Sequence, residues 1–188
     1  MSNPGQISPL RPVTRHITTH NAEGKAVIHS STPGQWKAFS ADMAFNLIFT
    51  TSQFPADING DADLKNHDTV VQSGQLGLVN PNGTVCRIVD FAPNNPGIMH
   101  RTQSLDFGVV LEGSVEMVLE EGEPTLLQRG DVAVQRGTAH AWRNPSATEW
   151  ARMLFVLQDS KPLVVGSETL KEDLGVAAAI LTPSGNDP

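Results

Sequence analysis

Between residues 76 and 157 short β-prone runs alternate with turn signals in a rhythm that few architectures accommodate. Leu76–Val79, Val85–Phe91, Phe107–Leu111, Val115–Leu119, Thr125–Gln128, Val132–Gln135 and Trp150–Leu157 are divided by segments that include NPNG, APNNPG, EGS, EEGE, RGD and RNPSAT. Strands at roughly 8–12-residue intervals, punctuated by Gly, Pro and Asn, predict an antiparallel sandwich or barrel. A parallel sheet would need crossover helices of about a dozen residues, and these gaps hold none.

Upstream, Val13–His20 and Lys25–Ser31 are rich in β-branched residues and face each other across NAEG as a hairpin, and Phe45–Thr51 is a further strand. The polar stretch 52–69 reads as a long loop. Near the end, Gly166–Gly175 predicts a short helix: Ser167 or Thr169 caps it, Leu170 and Leu174 share a face, and Gly175 stops it. The expected layout is one domain over 13–181, with its core at 97–144, between a flexible arm (1–12) and a flexible tail (182–188).

The 16 Gly and 13 Pro are spread too evenly for a helical bundle. A formal charge of −7 without a Lys/Arg cluster argues against a nucleic-acid partner. The single cysteine, Cys86, rules out a disulfide framework within one chain and reads as a buried thiol. No run of about 18 apolar residues and no N-terminal apolar core is present, so a soluble, cytoplasmic protein without a membrane partner is expected.

The chemistry concentrates in two rows. If His100 begins a strand, Thr102, Ser104 and Asp106 share one side of it. Turned inward, such a row is costly unless its members bind each other or a ligand. His140, Trp142 and Asn144 form a second row of the same period. Where the rows meet, His100, Asp106 and His140 could surround a cation, a shell suited to iron, manganese or zinc with positions left open. Spacing alone equally allows the two histidines to be polar residues in turns at a barrel mouth. Trp142 can stack on a flat substrate or fill the core, and Ser104 can assist by hydrogen bonding. Arg136, just before the Gly137 turn, can receive a carboxylate or enolate at the rim or simply face water. Arg101 and Arg143 have the opposite parity and should point away.

The same segment resembles the two signature motifs of the cupin superfamily. His100 falls on the first histidine of the first motif, Thr102 on its second, Asp106 on its glutamate and Gly113 on its closing glycine. Gly130, Gly137, His140 and Asn144 approximate the second motif, one residue short between the glycines and without its proline. The resemblance implies an all-β, cupin-type double-stranded β-helix (jelly-roll) barrel, here with the short C-terminal helix, and a homodimer. It implies one divalent metal held by His100, Asp106 and His140, with room beside Thr102 where the family has a ligand. HRTQSLD is further similar to small cupins of fungal secondary metabolism, a set assigned to dehydration, decarboxylation, oxidation or ring-forming steps.

The leading expectation is a metal-dependent lyase of decarboxylase, dehydratase or isomerase type acting on a small oxygenated, aromatic or polyketide-derived molecule. His100, Asp106 and His140 are its expected catalytic residues and metal ligands, and Thr102, Ser104, Trp142 and Arg136 its substrate contacts. An iron-dependent dioxygenase is the alternative enzyme, and a small-molecule-binding cupin without activity the alternative outside catalysis.

Overall fold

The structure, a computed structural model, describes residues 2–187; Met1 and Pro188, the ends of the expected arm and tail, lie outside it. The chain folds as β1 (Thr14–His20), β2 (Ala26–Pro33), β3 (Trp36–Ala38), β4 (Met43–Thr51), α1 (Ala62–Ser73), β5 (Thr84–Phe91), β6 (Ser104–Glu112), β7 (Ser114–Leu119), β8 (Thr125–Gln128), β9 (Val132–Arg136), β10 (His140–Arg143), β11 (Ala151–Asp159), β12 (Leu163–Val165) and β13 (Glu168–Leu170). All strand pairs are antiparallel.

A six-stranded sheet in the order β3-β4-β5-β11-β6-β9 and a three-stranded sheet β10-β7-β8 carry the body of the fold. Their inner faces meet in one cluster, with Val115, Leu127 and Trp142 from the smaller sheet and Val89, Val110, Met153 and Phe155 from the larger. The turn between β6 and β7 needs Gly113: its φ is +70°, and a Cβ there would stand 2.8 Å from the Trp150 carbonyl oxygen. Among the described residues these sheets remain separate and do not join into one hydrogen-bonded cylinder, so the jelly-roll barrel reduces to a mostly antiparallel β architecture.

Three local expectations are corrected. The helix expected at Gly166–Gly175 is absent. Val164 and Val165 pair with Thr169 and Glu168 around Gly166 (φ +62°), a tight hairpin, and only a single 3-10 turn follows at Gly175–Ala179. The β-branched flanks and the glycine outweigh the weak Leu170/Leu174 helical spacing. The supposed loop 52–69 instead contains most of α1, which ends at Gly74 (φ 65°) and buries His67. Residues 76–79 are not a strand; the Gly77 and Leu78 carbonyls accept hydrogen bonds from Arg87 (2.9 and 2.8 Å) in place of a sheet partner.

Residues of the N-terminal segment hydrogen-bond to the six-stranded sheet. The buried pair Asp90–Arg152 is bidentate (2.6 and 2.7 Å), Ser8 Oγ donates to Asp90, and Arg152 Nη1 donates to the Arg11 carbonyl at 2.6 Å. A buried carboxylate and guanidinium need every donor and acceptor satisfied, and this segment supplies those that the sheet lacks. The tail is held similarly: Ser184 Oγ accepts from Val79 N (3.0 Å), and Asn186 exchanges hydrogen bonds with Gln103. Among the described residues no helix is long and apolar enough to cross a membrane.

Candidate functional site

The two rows read from the sequence converge. His100 and His140 form an isolated antiparallel bridge, each N–H donating to the other's carbonyl (3.0 and 2.9 Å). Their rings lie 4.5 Å apart between centroids, tilted by 49°. Gly97, three residues before His100, has φ +73°, and a Cβ there would come within 2.6 Å of the Trp142 carbonyl oxygen, so glycine lets this segment lie against β10.

Each imidazole is oriented by its own backbone. His100 Nδ1 lies 2.8 Å from the Ile98 carbonyl oxygen and His140 Nδ1 lies 2.9 Å from that of Thr138. A carbonyl only accepts, so both Nδ1 atoms carry the proton and both Nε2 atoms keep a free lone pair. Burial, then the neighbouring His100, lowers His140 to about 4, and burial lowers His100 as well. At neutral pH both rings are uncharged.

Asp106 is the third member. On β6 it pairs with Leu157 on one side and Gln135 on the other, and it is 4 % exposed. Burial pushes its carboxyl up to about 6, against the opposing pull of the Ser104 hydroxyl, the Arg87 charge and the Thr102 hydroxyl. Its Oδ1 has no hydrogen-bond partner.

His100, Asp106, His140 and Trp142 all line one cavity of about 660 Å³, mouth included, whose other walls are mainly apolar, with Phe39, Phe45, Phe91 and Phe155 prominent. Trp142 meets His140 edge-on at 5.4 Å. Thr102 and Ser104 are inward and buried as expected, but they lie outside the cavity wall. The Ser104 hydroxyl donates to Thr102 Oγ1 at 2.8 Å, and both bear on Asp106. In this arrangement both hydroxyls face the carboxylate side of the strand and not the cavity. Arg136 is exposed and outside the cavity, because β9 alternates with Ala133 and Gln135 inward. Arg143 points away as expected and pairs with Glu116 at 2.5 Å.

Arg87 was not among the expected residues, yet it is 7 % exposed and lines the cavity. The signal was present: in TVCRIVDF, Val85, Arg87, Val89 and Phe91 share one parity, so an arginine stands in a row of inward apolar residues.

The donor set fits a transition-metal ion at the histidine pair, where two neutral rings offer Nε2. Among the described residues no group of three His, Cys, Asp or Glu stands close enough together to hold an ion, so Asp106 does not complete a shell with them in this arrangement.

The Cupin domain family model matches residues 87–157, which runs from within β5 to within β11 and includes Arg87, His100, Thr102, Ser104, Asp106, His140 and Trp142. The "Phomopsin biosynthesis cluster protein D" of Diaporthe leptostromiformis is 40% identical over 94% of this chain and 94% of its own length. The "Cupin-domain-containing oxidoreductase virC" of Hypocrea virens is 42% identical over 83% of this chain and 80% of its own. For the "Cupin-domain-containing oxidoreductase fogC" of Aspergillus ruber the values are 39%, 92% and 85%. Relatives this similar, named as oxidoreductases, overturn the expected lyase. Their likeness, over nearly the whole length, makes the chain a member of the cupin superfamily, matching the cupin-domain proteins of fungal secondary-metabolite clusters.

Proposed function

We propose that this protein is an oxidoreductase of secondary metabolism that acts on a small, largely apolar, oxygenated molecule bound in the cavity between the two sheets. One observation carries the reading: two neutral imidazoles with free Nε2 atoms and a carboxylate of raised basicity line the same aromatic-walled cavity. The names of the relatives virC and fogC support redox over redox-neutral chemistry.

An iron ion held by His100 and His140 through Nε2 would supply the one-electron and dioxygen chemistry that side chains lack. The chain's own residues do the rest. Asp106 is ionised at neutral pH but more basic than an ordinary carboxylate, and its unpartnered Oδ1 suits it to take a proton from a substrate hydroxyl or acidic C–H. The Ser104 and Thr102 hydroxyls, bonded to each other, favour the ionised carboxylate against its burial. Trp142, Phe91 and Phe155 position a flat substrate and keep water from the reacting end.

The test is incubation of ferrous-loaded protein, in air, with a panel of apolar oxygenated aromatic and polyketide-like compounds, followed by product mass. Loss of two hydrogens or gain of oxygen, accompanied by oxygen uptake and abolished in Asp106→Asn and His140→Ala, is the expected result. Products that differ only by loss of water or carbon dioxide, with no oxygen consumed, would overturn it.

A further inference from the structure

Among the described residues two arginines are buried, and only one of them makes an ion pair. Arg152, 2 % exposed, has Asp90 across a bidentate pair. Arg87, 7 % exposed, has no carboxylate within ion-pair distance: the ion pairs among the described residues are Arg143–Glu116 and Arg152–Asp90. Its hydrogen bonds run from Nη2 alone, to the Gly77 and Leu78 carbonyls, and its buried Nε has no partner. Phe45 covers the guanidinium at 5.6 Å. Burial lowers Arg87 to about 10, which leaves it charged at neutral pH. Asp106, on the wall of the same cavity, attracts this charge without forming an ion pair with it, so a buried cation in this state is only partly offset and an added anion would stabilise it.

Arg87 also stands where two cavities adjoin. A second cavity, about 830 Å³ with its mouth included, shares Phe39, Phe45, Arg87 and Leu181 with the first. Its wall contains Lys37 and no aspartate or glutamate, although the protein as a whole carries −7. Arg87 and the histidine pair line the first cavity together.

We propose that Arg87 is the specificity-determining residue of the site and that the substrate is an apolar carboxylic acid. Its carboxylate pairs with Arg87 where the two cavities adjoin, with Lys37 adding positive charge on the wall of the second. Its apolar body lies along Phe39, Phe45 and Leu181 and brings the far end to His100, Asp106 and His140. This deepens the oxidoreductase reading and rests on it for what happens at that far end; the acid site itself requires no turnover.

The probe is 2-naphthoate, with 2-naphthamide as its uncharged counterpart of equal shape, titrated calorimetrically into chelator-treated protein. The acid should bind at least about tenfold tighter than the amide, since a charge-assisted hydrogen bond in a dry site is roughly twice as strong as a neutral one. Arg87→Gln should remove that preference and Arg87→Lys should restore part of it. Equal affinity for acid and amide in the unaltered protein, no detectable binding of the acid, or a preference that survives Arg87→Gln would each overturn the proposal. If Arg87→Gln fails to fold, the acid-to-amide ratio in the unaltered protein still decides. A compound panel that yields no redox product would sink the oxidoreductase reading while leaving this ratio unmoved.

Discussion

His100 and His140 are joined through their backbones, by a reciprocal pair of hydrogen bonds at 3.0 and 2.9 Å, and their side chains make no hydrogen bond to each other. The ring pair therefore depends on main-chain geometry, and either imidazole can be removed without breaking the bridge. His140→Ala should keep the fold, with near-native circular dichroism, while ferrous or cobalt(II) affinity falls by at least about 100-fold, the upper end of what loss of a mere supporting partner produces. Titration calorimetry on the two proteins measures the difference. Unchanged metal affinity would remove His140 from the ligand set.

Asp106 couples the site to stability. Its folded-state value of about 6 lies above its ordinary 3.8, so between these values the folded chain holds the proton more tightly than the unfolded one. Its contribution is thus fully present below pH 3.8 and is lost as pH rises through about 6. In chelator-treated protein, Asp106→Asn should become more stable than the parent by on the order of 2 kcal/mol on going from pH 4 to pH 7.5. Urea unfolding of both proteins at each pH gives the double difference, and a value of zero would contradict a desolvated carboxylate.

His67 has the opposite sign. It is buried on α1 and accepts from the Thr50 N–H at 3.1 Å through Nδ1. Burial, reinforced by the Arg15 charge, lowers it below its usual 6.5. The unfolded chain therefore binds the proton first, so His67's contribution is intact above pH 6.5 and is lost as pH falls below it. His67→Asn, whose amide oxygen can replace Nδ1 as acceptor, should flatten the acid side of a Tm-versus-pH curve. A curve as steep as the parent's would place the acid sensitivity elsewhere.

The Asp90–Arg152 pair ties the six-stranded sheet to residues 8–11. Asp90→Asn leaves a buried guanidinium without its counter-ion and should cost about 3–5 kcal/mol in urea unfolding. It should also speed proteolytic cleavage within the first dozen residues. A loss below about 1 kcal/mol would mean that water or another group takes over the aspartate's role.

Legibility in the sequence followed the strength of local periodicity. The alternation HRTQSLD and the HAW run placed His100, Asp106, His140 and Trp142 around one cavity because a two-residue period survives into the folded strand. The same alternation assigned Thr102 and Ser104 inward but could not show that their hydroxyls would be absorbed by each other and by Asp106, since that depends on depth. Arg87 was passed over because TVCRIVDF reads as one apolar strand, although its parity sets it among inward residues; its lack of an ion pair shows only when the partners of both buried arginines are compared. α1 was missed because its large apolar residues are few, Leu64, Val70 and Val71, and a buried histidine stands between them. The hydrogen bonds of Asn3 and Ser8, to Val13 and Asp90, are contacts that the composition of the N-terminal segment does not reveal.

Gly97 offers a way to disturb the site without altering any side chain in it. Its φ of +73° is shared by Gly24 at +72°, but their surroundings differ: a Cβ at Gly97 would stand 2.6 Å from the Trp142 carbonyl oxygen, whereas one at Gly24 meets nothing within 4 Å. Both alanine variants incur the left-handed backbone cost of about 1 kcal/mol. Only Gly97→Ala must also push β10 away, and with it the bridge that sets the imidazole pair. Gly24→Ala should lose about 1 kcal/mol in urea unfolding and keep full affinity for cobalt(II). Gly97→Ala should lose on the order of 2 kcal/mol or more and bind the ion at least about tenfold more weakly, because small displacements of positioning groups are expensive. Equal effects of the two substitutions would show that the close approach of residue 97 to β10 plays no part in shaping the site.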